Sequence, residues 1–158
     1  MVKVLFVCMG NICRSPTAQG VFEVLLEEEG LRRRVEVDSA GTGPWHAGKQ
    51  PDSRAQAAAS SRGYKLDKQR ARQVKVEDFD KFDLILAMDQ DNIAELHKIC
   101  PEHERHKVKL FLSYGNSSEF QEVPDPYYGG QNGFELVLDL IEDAGKGLLQ
   151  SIKHNLVR

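Results

Sequence analysis

The sequence predicts an α/β fold in which a parallel sheet carries helices on both faces. Two observations point to it. Short apolar runs rich in β-branched residues alternate with segments of helical spacing, and the first run, residues 3–7, is apolar at all but its first position, like a strand buried on both faces. A chain of 158 residues with 41% hydrophobic content fits one compact core, so a single domain over residues 1–158 is expected.

The elements follow in order. After the strand at 3–7, Ala18, Val21, Phe22 and Leu25 recur at helical spacing; Ser15 is the expected cap, Pro16 suits the first turn and Gly30 the stop. Residues 34–42 read as a second strand and 51–63 as a helix closed by Gly63. Residues 82–89 form a third candidate strand, 92–100 a helix stopped by Pro101, and 106–114 a fourth strand. Phe134, Val137, Ile141, Ala144, Leu148 and Ile152 mark a long amphipathic helix. Strands alternating with helices imply right-handed crossovers, and ligands in such sheets bind at the carboxyl ends of the strands.

Composition narrows the function. The net charge is −3, from 21 basic and 24 acidic side chains without a block of either sign, which argues against nucleic acid as a partner. Three cysteines are no disulfide framework and fit a reducing compartment, the cytoplasm. Neither a signal peptide nor a membrane span is expected. His97, His103 and His106 lack zinc spacing, and no metal site is expected.

The chemistry is expected where the first strand gives way to its helix. Cys8 and Arg14 flank that junction in "VCMGNICRSP". A turn there aims successive backbone N–H groups inward, and the helix terminus adds about half a positive charge, so the loop is a phosphate cradle. The same field favours a thiolate over a thiol, which casts Cys8 as a nucleophile. Arg14 offers a planar fork of donors that matches two phosphoryl oxygens. Gly10 supplies room or a positive φ, Asn11 tolerates the left-handed region, and Ser15 can donate to the Cys8 sulfur.

Together with "VPDPYYGG" at 123–130, and with "DSAGT", "RARQV" and "FDLILAMDQDN" between, this motif resembles the low-molecular-weight protein tyrosine phosphatases along the whole chain. The resemblance implies a four-stranded parallel sheet, no metal or cofactor, and hydrolysis of phosphotyrosine through a phosphocysteine. Cys8 resembles the nucleophile, Arg14 the phosphate-binding arginine and Asp125 the general acid, with Met9, Gly10, Asn11, Ile12, Cys13 and Ser15 lining the cradle. Chemistry agrees: a leaving phenolate needs a proton, and a carboxylic acid on a facing loop supplies it. Pro124 and Pro126 restrict the backbone on either side of Asp125.

Trp45, Tyr127 and Tyr128 match positions that wall the family's substrate cleft, with Met9, Ile12 and His46 on its border; on the residues alone, an isolated Trp or Tyr is more often half-buried core. Ser39 and Asp89 match supporting positions, beside their ordinary reading as a strand end and a helix cap. Gln69 stands where many relatives carry a His that bonds the cradle Asn, and is expected to bond Asn11. Cys13 matches a second thiol that traps the oxidised nucleophile as a disulfide. Tyrosine-phosphorylated proteins or peptides are the implied partners, met by a monomer or a weakly self-associating chain. An arsenate reductase of this fold is the nearest rival, yet Cys100 is badly placed for a thiol relay. A phosphoarginine phosphatase is the next, and Ile12 favours an aryl group over it. A non-catalytic phosphate reader would lack one of Cys8, Arg14 and Asp125.

Overall fold

In chain order, the elements are β1 (Val2–Cys8), α1 (Arg14–Glu28), β2 (Val35–Gly41), α2 (Ser53–Ser60), α3 (Val76–Lys81), β3 (Leu84–Ala87), α4 (Gln90–Ile99), β4 (Val108–Leu110) and α5 (Gln131–Leu156). The computed structural model describes residues 1–127 and 131–156, the side chain of residue 131 excepted. The four strands form one sheet in the order β2-β1-β3-β4, every pair parallel. The α/β class and the parallel sheet expected from the sequence are therefore observed.

Alternation along β1 divides the core in two. Val4, Phe6 and Cys8 face one side, where α1 and α5 cover them; Leu5 and Val7 face the other, against Phe79, Phe82 and Leu96 of α3, α4 and the segment between α3 and β3. Phe6 centres the first layer, edge-on to Phe22 at 5.9 Å and Phe111 at 4.9 Å between centroids. On α5, all six apolar residues read from the sequence are buried. At Gly147 α5 comes so close to the Tyr114 carbonyl that an added Cβ would sit 1.8 Å from its oxygen.

The expected helix 51–63 shortens to Ser53–Ser60 and the strand 82–89 to Leu84–Ala87, and three further differences stand out. The fourth strand shrinks from 106–114 to Val108–Leu110, between 3-10 turns at Glu102–Lys107 and Phe111–Tyr114. A strand would send Phe111 and Leu112 to opposite faces; the turn buries both in the α1/α5 layer. A short helix, α3, escaped the pattern: it is six residues long, started by Asp78, whose carboxylate accepts from the Lys75 N–H at 2.7 Å. Finally, α1 begins at Arg14 and Ser15 does not cap it; the Cys13 N-cap position has no side-chain bond.

This topology places the site. The chain leaves β1 for β2 on one side, and for β3 and then β4 on the other, so the carboxyl end of β1 is the switch point where the crossovers diverge. Cys8 is the last residue of β1, paired with Gly41.

Candidate active site

The loop after β1 curls around the Cys8 sulfur. The Asn11 N–H donates to it at 3.3 Å, and Ser15 Oγ lies 3.0 Å away. A thiolate only accepts, so both groups then donate to the sulfur. Asn11 is the one positive-φ residue other than glycine among the described residues, at φ 58°. Its amide holds that turn with all its polar groups: Nδ2 donates to Ser15 Oγ at 2.8 Å and Ser39 Oγ at 3.0 Å, and Oδ1 accepts from the Arg72 N–H at 3.0 Å. Gly10 is not in the left-handed region; what it supplies is room, since a Cβ there would lie 2.9 Å from the His46 ring.

Arg14 is 3% exposed. Its Nη1 donates to Asp89 Oδ2 at 2.5 Å and to the Val123 carbonyl at 3.0 Å, and Nη2 lies 3.7 Å from Asp125 Oδ2. Burial works against its charge, but Cys8, Asp89 and Asp125 outweigh that and hold it above the ordinary arginine value. Asp89 also caps α4, accepting from the Asn92 N–H at 2.8 Å, so cap and support are one residue. Asp125 is more open, its side chain 31% exposed, with Oδ1 accepting from the Tyr127 N–H at 3.0 Å.

A cavity of about 220 Å³ gathers these groups. Cys8, Cys13 and Arg14 are its buried lining; Met9, Gly10, Ile12, His46, Asp125 and Tyr127 are the more exposed part. The His46 and Tyr127 rings stand 6.4 Å apart. A larger groove of about 720 Å³, between α1 and residues 63–70, is lined by Gln19, Glu23, Asp38, Lys65 and Lys68 among others, and offers no thiol. Chemistry, not volume, selects the smaller cavity.

Some expected residues stand elsewhere. Trp45 is 65% exposed and does not line the cavity; its ring lies over Gly43. Tyr128 lies outside the described residues. The contact expected between Gln69 and Asn11 is absent, because Arg72 N–H occupies Asn11 Oδ1; Gln69 Nε2 donates instead to the Pro16 carbonyl at 2.9 Å. Ser39 Oγ accepts from Asn11 Nδ2 and donates in turn to Gln19 Oε1 at 2.8 Å. Arg72 and Gln19 were missed: Arg72 lies in the quoted "RARQV", but nothing local shows that its backbone reaches Asn11. Cys13 is buried against Ala55 and Phe134, and burial, with Asp52, Cys8 and Asp125 nearby, pushes its thiol well up. Among the described residues, no cluster of His, Cys, Asp and Glu could hold a metal ion, and no helix is long and apolar enough to cross a membrane.

A thiol at the switch point of a parallel sheet, contacted by the Asn11 N–H and Ser15 Oγ and backed by a buried arginine, is the arrangement of a site for phosphate esters. Residues 3–158 match the family model of the low molecular weight phosphotyrosine protein phosphatases. A low molecular weight protein-tyrosine-phosphatase of Streptomyces coelicolor is 44% identical over 154 residues, 96% of this chain and 93% of that protein. Among solved structures, a protein tyrosine phosphatase from Entamoeba histolytica superposes with a TM-score of 0.95 at 42% identity, covering 98% of this chain and 99% of that one. A Drosophila arginine phosphatase superposes at 0.89 with 34% identity, covering 96% and 98%. The chain belongs to the low molecular weight phosphotyrosine protein phosphatase family.

Proposed function

We propose that the chain dephosphorylates tyrosine-phosphorylated proteins or peptides in two steps. The Cys8 thiolate attacks phosphorus while Asp125 protonates the departing phenolate, leaving a phosphocysteine; Asp125 then takes a proton from the water that releases inorganic phosphate. Arg14 and the loop N–H groups stabilise the equatorial oxygens throughout, so added metal is not required for charge stabilisation. The observation that carries this reading is the convergence of Cys8, Arg14 and Asp125 on one cavity whose lining includes Ile12, His46 and Tyr127, which suit a flat aryl group.

Cys13 is the redox partner in this reading. Its raised pKa keeps it a thiol at neutral pH, so peroxide oxidises Cys8 first. The Cys8 sulfenic acid and the Cys13 thiol then condense to a disulfide with loss of water.

The test is initial rates on phosphotyrosine, phosphoserine and phosphoarginine peptides in the presence of chelator, with arsenate reduction assayed alongside. Preference for phosphotyrosine is expected. Faster turnover of phosphoarginine, the substrate class named for the Drosophila relative, would displace the reading.

A further inference from the structure

Asp125 sits in an exposed segment whose upstream end is held by Met88 and Arg14. Val123 is tied at both backbone polar atoms, its N–H donating to the Met88 carbonyl at 2.8 Å and its carbonyl accepting from Arg14. Downstream, Tyr127 donates its N–H to Asp125 Oδ1 and so aims the carboxyl, but Tyr127 must itself be fixed. Arg54, the second residue of α2, does this: Nη2 donates to the Tyr127 carbonyl at 2.9 Å, and the guanidinium lies 5.4 Å from the centroid of the Tyr127 ring and 5.1 Å from that of Phe134.

Arg54 is held in turn. Its Nε and Nη2 grip the two Asp52 oxygens at 3.1 and 3.0 Å, while Asp52 caps α2 and donates its N–H to the Ile12 carbonyl of the phosphate loop at 2.8 Å. The contacts therefore run from the phosphate loop through Asp52, Arg54 and Tyr127 to Asp125. Arg54 itself does not line the Cys8 cavity.

We propose that Arg54 is a positioning residue for proton transfer: its fork couples the phosphate loop to the acid loop and sets the Asp125 carboxyl over the Cys8 pocket. This rests on Asp125 being the general acid. A fork is needed because one side chain must hold two carboxylate oxygens and a carbonyl at once, which an ammonium cannot match.

The experiment measures kcat/KM, which reports steps through cleavage of the ester, against leaving-group basicity for the parent, Asp125→Asn, Arg54→Met and Arg54→Lys, with thermal unfolding as a check on folding. Arg54→Met keeps apolar cover over Tyr127 and Phe134 and removes the hydrogen bonds. It is expected to lose about tenfold on phenyl phosphate, part of the roughly 10²–10⁴ that a placed acid contributes. On dinitrophenyl phosphate, which leaves without a proton, the loss should stay within about twofold. Arg54→Lys should recover only part of the phenyl phosphate rate. A steeper slope for Asp125→Asn with an unchanged slope for Arg54→Met overturns the positioning role, as does full rescue by Arg54→Lys, which would assign the effect to charge alone. An unchanged slope for Asp125→Asn would instead bring down the acid assignment and this inference with it.

Discussion

Residues 8–15 and residues 121–127 both contribute to one cavity, yet the first loop has its polar side chains tied down inside the fold while the second, apart from the buried Val123 and Pro126, is exposed. Asn11 spends both amide hydrogens and its oxygen within the protein, and Arg14 is anchored on Asp89 and a carbonyl. Asp125 has one N–H from Tyr127 and a distant guanidinium. The difference follows the chemistry. Donors that stabilise a phosphoryl group act best when already in place, so the cradle is preorganised. An acid must admit an aryl group and let it leave, so it sits on a segment open to solvent.

The strongest way to break this comparison is at the sulfur. Cys8→Ser should bring turnover to the detection limit while vanadate still binds by calorimetry, because the N–H groups and Arg14 remain; measurable turnover would remove Cys8 as nucleophile. Next comes the open loop. Asp125→Asn should cost about 10²–10⁴ in kcat/KM on phenyl phosphate but under about tenfold on dinitrophenyl phosphate. Equal losses would mean that Asp125 merely shapes its loop.

Smaller effects sharpen the contrast. Asn11→Gly preserves access to the left-handed turn but loses three hydrogen bonds, each worth about 1 kcal/mol. It should lower unfolding free energy by about 2–3 kcal/mol in urea titration and weaken phosphate competition; unchanged values would show the cradle does not depend on that amide. Cys13→Ser should inactivate with peroxide as the parent does, then recover less activity in dithiothreitol. Equal recovery, with no 8–13 link in peptide maps, would end its protective role. Tyr64 offers a control that touches neither loop. Burial and the Glu142 carboxylate push its phenol up to about 12, so the folded state holds the proton more tightly than the unfolded one. Its contribution to stability is present below about pH 10 and is lost as pH rises towards about 12, seen as a steeper decline for the parent than for Tyr64→Phe in that window.

Much of this was legible before the fold was known. Periodicity located β1, α1 and α5, because a two-sided strand and a long apolar stripe leave strong patterns. Motif and chemistry also pointed to Cys8, Arg14 and Asp125, which the fold gathers around one cavity. What stayed hidden were contacts set by topology rather than by neighbours: the backbone N–H of Arg72 on Asn11 and the guanidinium of Arg54 on the Tyr127 carbonyl join residues 61 and 73 apart in sequence. Gln69 was misassigned for the same reason. Its residue type allowed a bond to Asn11, but the Arg72 N–H had already taken the acceptor. At 106–114 a longer strand was expected, and the demand to bury Phe111 and Leu112 on one side won.

The central place of β1 also governs the order in which the molecule can be completed. Cys8 precedes the partners of its loop by a long stretch of chain: Arg14 depends on Asp89 and Val123, and Asn11 on Arg72. A chain emerging from the ribosome thus carries its reactive thiol long before the partners that steady the loop exist. The contacts that hold Arg14 and Asn11 can all be made only once the chain has been synthesised as far as Val123, and Asp125 follows it. Contacts this distant in sequence slow folding relative to local ones, so the nascent thiol passes through an interval without its enclosing pocket.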